Sequence, residues 1–279
     1  MAFASSSRAG VSTWIESIHA HRVPAWALFQ CLAVACMIAW FMWRTRQVDR
    51  RLRVSLLLAL PGAAIGALTL GLVLRIPAWV ASGFDLKQLL GLGVMAYGAL
   101  FGLVGAHAWV TRLYKLDVAD ALDRLAPTLG LLVLFGRAGC FVAGCDFGFT
   151  SALPWAIRYP QKTAAFFAHL DRGWIAASAE HSLAVHPAQL YEAAVGLAMI
   201  LVGLWVERRE QRRGMVLAAV AATYAIGRLG VDFYRGDERP MLGALSLPQW
   251  ISIAVLGWVI AWKLERERAH DTIEGTRPQ

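Results

Sequence analysis

Seven stretches of this chain, at roughly 24–43, 54–74, 88–111, 125–143, 188–206, 215–235 and 246–262, are apolar over nearly the length of a membrane crossing. A helix rises about 1.5 Å per residue, so about 20 apolar residues cover the hydrocarbon core of a bilayer. The pattern predicts an all-α polytopic membrane protein with seven transmembrane helices, in a single membrane-embedded domain over 1–279. Composition agrees: 58% of residues are hydrophobic and 16% are charged, where a soluble domain carries about a quarter charged. Residues 144–187 are too polar, and too broken by Gly and Pro, to cross. They predict a small cap between helices four and five.

Basic residues orient the chain. Arg44, Arg46, Arg50, Arg51 and Arg53 follow the first stretch, and Arg112, Lys115 and Arg124 the third. Arg208, Arg209, Arg212 and Arg213 follow the fifth, and Lys263, Arg266, Arg268 and Arg277 the seventh. The opposite side carries about half as many, so the richer side is predicted to be cytoplasmic. The N-terminus and the cap then lie outside and the C-terminus inside. The net charge of +8 is a loop charge of this kind. No basic segment carries interleaved aromatics on a soluble module, so nucleic acid is not an expected partner. The first 22 residues lack the basic start, apolar run and small-residue site of a cleaved leader, and read as a polar or interfacial segment. Trp43, Trp79, Trp109 and Trp262 near span ends fit an interfacial belt. Gly and Ala in spans two and three predict close helix packing.

Two arginines fall inside apolar stretches. Arg137 in span four and Arg228 in span six both lie about 10 Å below the outer surface. An arginine at the bilayer centre costs at least about 2.5–3.5 kcal/mol, so such residues are paired or functional. Asp232 is one turn after Arg228 and Arg235 follows, which allows a self-contained ionic row. Arg137 has no acidic residue three or four positions away, and needs a partner from another helix or an anionic ligand. Arginine offers planar, bidentate donors to phosphate and stays charged in a low dielectric. Tyr97 in span three lies near the same depth. Pro187 suits the first turn of span five, which places His186, Gln189 and Glu192 as a crown on the outer end of the bundle.

These residues sit in recognisable segments. The chain resembles the prolipoprotein diacylglyceryl transferase family through GRAGCFVAGCDFG at 136–148, HPAQLYEA at 186–193 and GRLGVDFYRGD at 227–237. MAYGALFG at 95–102 stands in the place of the family's His-Gly-Gly segment. The resemblance implies a multi-pass protein of the bacterial cytoplasmic (inner) membrane. It implies transfer of the diacylglyceryl group of phosphatidylglycerol to the lipobox cysteine of a prolipoprotein, beside its signal peptide, with release of glycerol phosphate. Arg137 and Arg228 take the family's essential arginine places. Asp232 and Arg235 take its acidic and second basic places, and Gly148 its closing glycine. His186, Gln189, Tyr191 and Glu192 are expected beside the substrate. No metal or other cofactor is expected.

Departures gather at the chemistry. Tyr97 replaces the family histidine, Cys140 and Ala143 its two asparagines, and Cys145 its glutamate; Trp26 or Ala27 stands near its span-one tyrosine. Tyr97 can hydrogen-bond a phosphate, but an unperturbed pKa of about 10 makes it a poor base. Cys140 and Cys145 have three readings: small buried packing groups, a disulfide in an oxidising compartment, or a thiol nucleophile one turn from Arg137. Cys31 and Cys36, in span one, are expected to pack. The alternatives to a lipobox transferase are a sibling enzyme with another acceptor or donor lipid, and a non-catalytic binder of anionic lipid.

Overall fold

The computed structural model describes residues 25–83, 96–209, 212–237 and 241–275. The elements are α1 (Ala25–Arg44), α2 (Arg50–Ala81), α3 (Ala96–Leu113), α4 (Val118–Ala143), α5 (Ala164–Asp171), α6 (Ala188–Arg209), α7 (Met215–Asp232), β1 (Met241–Leu242), β2 (Leu245–Ser246) and α8 (Leu247–Gly275). Among the described residues, six helices are long and apolar enough to cross a membrane: α1, α2, α4, α6, α7 and α8. The expected third span, 88–111, lies partly outside the described residues, and its described part is α3. The N-terminal segment also lies outside them.

Helices α2 and α4 extend beyond the apolar stretches that announce them. Helix α2 continues through Arg75 and past Pro77, and α4 begins in the polar segment at Val118. Hydrocarbon thickness sets the length of an apolar run, but a helix continues until a stop signal. Proline is tolerated within these helices because neighbours and local adjustment satisfy the freed backbone groups.

The chain forms two compact units, one of Met1–Met37, Ala126–Gln211 and Met215–Gln279, the other of Ile38–Leu125 and Arg212–Gly214. In the second unit α2 lies directly on α3. A Cβ added at Gly62 would meet the Gly102 carbonyl oxygen at 2.8 Å, and one at Gly102 would meet Gly66 Cα at 3.0 Å. The two GxxxG pairs, Gly62 with Gly66 and Gly98 with Gly102, bring the backbones into contact as the sequence predicts. A fully buried polar cluster sits in the same unit: His107 Nδ1 lies 3.3 Å from Ser55 Oγ, which also accepts from Thr111 Oγ1.

In the first unit α6 packs on α7, and α7 on α8. The cap is irregular chain held by isolated bridges, Thr150 to Val185, Ile157 to Val185 and Pro160 to His181. It closes over its own small core of Phe147, Tyr159, Ala165 and Val185. Thr163 caps α5 by accepting from the Phe166 N–H at 3.3 Å.

The glycine seam generates a prediction. Gly102→Ala should lower stability by about 1–3 kcal/mol through overpacking. Gly105→Ala, where an added Cβ meets nothing within 4 Å, should be neutral or stabilising. Thermal unfolding of the two variants in detergent micelles checks the contrast.

Candidate active site

Glycine contacts decide which helices can share a charge. At the α4–α6 crossing, a Cβ on Gly130 would meet the Gly196 carbonyl oxygen at 2.6 Å, and one on Gly196 would meet Leu134 N at 2.6 Å. A Cβ on Gly227 would meet Val195 Cγ2 at 2.5 Å, so α6 also lies close against α7. Glu192 is one turn above Gly196 on α6. Arg137 is two turns above Gly130 on α4, and helical side chains lean towards the N-terminus, so its guanidinium reaches back to Glu192.

Three arginines converge on that one carboxylate, which is fully buried. Arg137 Nη2 lies 3.1 Å from Glu192 Oε1, Arg228 Nε lies 3.5 Å from the same oxygen, and Arg235 Nη1 lies 3.3 Å from Oε2. Asp146 forms a second bridge. It accepts from Arg137 Nη1 at 2.7 Å and from Arg235 Nη2. Arg228 also pairs with Asp232 at 3.2 Å, and Ser246 Oγ donates to Asp232 at 2.7 Å. Asp237 accepts from Arg235 Nε at 2.9 Å. The row Arg228–Asp232–Arg235 is therefore not self-contained. It joins Arg137 through Glu192 and Asp146.

The three segments that carry the family resemblance are fastened by main-chain hydrogen bonds around Gly148. Gly148 N–H donates to His186 O at 3.0 Å, and His186 N–H to Phe149 O at 2.9 Å. Phe149 N–H donates to Tyr234 O at 2.9 Å, and Gly236 N–H to Phe147 O at 3.0 Å. A Cβ on Gly148 would fall 2.5 Å from His186 Cβ and 2.7 Å from Tyr234 O. Only glycine lets the three strands of chain approach this closely, which is a physical reason for the closing glycine of the signature.

The other expected site residues take varied places. Gln189 and Glu192 do not crown the bundle. Both are fully buried, and Gln189 Nε2 donates to the Cys145 carbonyl at 2.6 Å. The α6 face that packs against α4 and α7 carries them inward. His186 and Tyr191 are half-buried at the start of α6: His186 Nδ1 is 3.1 Å from the Tyr191 hydroxyl, which accepts from Trp155 Nε1 at 2.8 Å. Tyr234 packs against both rings. Cys140 is buried and Cys145 half-buried, and both are free thiols. Tyr97 belongs to the other unit, half-buried in the first turn of α3. Arg137 takes one carboxylate from another helix, Glu192, as its lack of a partner at helical spacing predicts, and a second from Asp146, which no helical spacing marks. Gly144, with φ +70°, ends α4 and turns the chain back, which brings Asp146 to Arg137 from nine residues away.

Among the described residues the cluster holds three guanidinium groups against the four carboxylates of Asp146, Glu192, Asp232 and Asp237. Exposure separates the arginines: the Arg137 side chain is 18% exposed, against 3% and 4% for Arg228 and Arg235. Burial opposes charge on Asp146, but Arg137 and Arg235 outweigh it and hold its carboxyl well below the usual carboxylate range.

The family model described as prolipoprotein diacylglyceryl transferase matches residues 14–263. A phosphatidylglycerol–prolipoprotein diacylglyceryl transferase of Clostridium tetani is 27% identical over 74% of this chain and 78% of its own length. A second such protein, from Clostridium perfringens, is 28% identical over 63% of the chain and 64% of its own length. A third, from Stenotrophomonas maltophilia, is 30% identical over 63% of each. The chain thus spans less than two thirds of the length of the latter two.

Two predictions follow from the charges. Glu192→Leu leaves three guanidinium groups without their shared carboxylate and should cost about 3–5 kcal/mol, read by denaturant unfolding. The charge on Asp146 contributes stability that is fully present above about pH 4, the ordinary carboxyl value, and is lost as pH falls towards its depressed native value. Asp146→Asn should flatten that acid limb in unfolding measured against pH.

Proposed function

Because the chain belongs to the prolipoprotein diacylglyceryl transferase family, we propose that it moves the diacylglyceryl group of phosphatidylglycerol to the thiol of a lipobox cysteine, releasing glycerol phosphate. The observation that carries this reading is the convergence of Arg137, Arg228 and Arg235 on Glu192. Those residues come from all three segments that match the family. On this reading the protein crosses the bacterial cytoplasmic membrane seven times as a single domain, with its N-terminus and cap outside, where both the lipid and a membrane-anchored signal peptide can reach the site.

In the transfer a carbon–sulfur bond forms between the acceptor thiol and the glyceryl carbon. The bond from that carbon to the phosphate oxygen breaks, and the thiol gives up its proton. The leaving phosphate gains charge as the bond breaks, and a preorganised arginine stabilises that charge more in the transition state than in the ground state. Arg137 suits this contact, because it is the most exposed of the three arginines. Arg228 and Arg235 act as positioning residues that fix Glu192 and Asp146, and through them Arg137. Asp232 holds Arg228 in turn. Gln189 and Gly148 fasten the turn that carries Asp146, while His186 and Tyr191 stand at the entrance with Tyr234. Cys140 takes a place beside Arg137, and Tyr97 stands where the family has its histidine.

A second reading is a sibling transferase with another acceptor or donor lipid. Tyr97 in place of the family histidine, and Cys140 in place of its asparagine, favour it. The two are separated by supplying phosphatidylglycerol and a lipobox peptide to membranes that contain the protein. Thioether-linked diacylglyceryl peptide is expected, with its rate at least about 100-fold lower in Arg137→Ala, the scale of losing one charge-stabilising donor. No product from the wild type, and none from Tyr97→His, would sink the lipobox reading and leave the sibling.

A further inference from the structure

Helix α4 ends in a turn that sets two thiols side by side. The N–H of Gly144 returns to the Phe141 carbonyl at 3.3 Å, and that of Cys145 to the Cys140 carbonyl at 3.2 Å. With Gly144 at φ +70°, this is the left-handed helix stop in which the residue after the glycine folds over one in the last helical turn. An apolar pair usually fills that contact. Here it is Cys140 and Cys145, whose sulfurs lie within 4.8 Å of each other, with Cys145 Sγ 3.8 Å from the Cys140 carbonyl oxygen.

We propose that Cys140 and Cys145 are a redox-active dithiol that closes to an intramolecular disulfide by exchange with a small disulfide oxidant. The hydrogen bond from Cys145 to Cys140 keeps the two backbones adjacent, and side-chain rotation brings the sulfurs to the bonded distance of about 2.0 Å. Cys145 is half-buried while Cys140 is buried, so Cys145 meets the oxidant first. Its thiolate attacks one sulfur of the oxidant, forms a mixed disulfide and expels the other half as a thiolate. Cys140 then gives up its proton and attacks the Cys145 sulfur, which expels the second half. The two cysteines lose two protons and two electrons, and the oxidant becomes two thiols.

The charges around the pair oppose a bound metal. Asp146 could complete a three-ligand set with the two thiols. Its two oxygens, however, are engaged by Arg137 and Arg235, whose guanidinium groups repel a cation. Hydrogen bonding with Cys140, together with Arg137, holds the Cys145 thiol below its ordinary value against its burial and the Asp146 carboxylate. Asp146 is the next residue after Cys145, so the closed ring also fastens the backbone of the carboxylate that Arg137 and Arg235 share.

The test uses the full chain with Cys31→Ser and Cys36→Ser, which removes the two cysteines of α1. The folded protein is treated with glutathione disulfide, quenched in acid, unfolded and alkylated with N-ethylmaleimide. The expected result is that both alkylation sites disappear together, with a mass lower by two hydrogens and recovery after a phosphine reductant. In Cys140→Ser the glutathione adduct should persist on Cys145. Full alkylation of both thiols after oxidation overturns the proposal. So does a glutathione adduct that stays on Cys145 while Cys140 is present, or a stoichiometric zinc ion that blocks oxidation until it is chelated.

Discussion

The first unit is organised by one buried carboxylate. Glu192 has no exposed surface and meets guanidinium groups from α4, from α7 and from the turn after α7. None of these arginines could lie inside an apolar bundle alone, and Glu192 could not either. Each charge is tolerated because the others are present, and removal of one partner leaves a cost that the remaining contacts do not offset. The positions of α4, α6 and α7 relative to one another follow from that mutual dependence as much as from apolar packing. Two glycine contacts, Gly130 with Gly196 and Gly227 with Val195, bring the helices close enough for it to operate.

Main-chain geometry does the rest of the positioning. The segment around Gly148 is stitched to His186 on one side and to Tyr234 and Gly236 on the other by backbone hydrogen bonds. Side-chain identity within these strips therefore matters less for their placement than the absence of a Cβ at Gly148. The charged residues are carried by helix ends and tight turns next to these strips. Arg235 follows the end of α7, and Asp146 the end of α4. A site of this kind combines rigid helices below with stitched turns above, and only Arg137 keeps appreciable exposure among its three arginines.

Much of this was legible from residue order. Apolar run length marks the membrane helices, and a loop of Gly, Pro and polar residues marks the cap. The depth of Arg137 and Arg228 marks them as paired or functional before any contact is known. The i to i+4 spacing of Arg228 and Asp232 gives their ion pair directly. What periodicity does not reveal is contact across a chain reversal. Asp146 reaches Arg137 because Gly144 turns the backbone back, and local spacing on a helix carries no signal of that. Glu192 was visible as a polar residue near a helix start, but its burial depends on which face of α6 meets α4 and α7. That face is polar as well as apolar, so hydrophobic pattern alone points it the wrong way. Helix ends ran past the apolar stretches for a related reason: stop signals, not hydropathy, end a helix.

The cluster also has an order in time. A chain made from its N-terminus presents Arg137 first, and Asp146 follows it within nine residues. Glu192 is synthesised only after the cap, and Arg228 and Arg235 later still. During insertion Arg137 therefore has one carboxylate at hand, the one on the turn directly after its own helix. The shared carboxylate arrives next, and the last arginines dock onto a site already carrying net negative charge. A bundle with an expensive charge in an early helix can thus be assembled without leaving that charge unaccompanied, because its first counter-charge travels on the same hairpin.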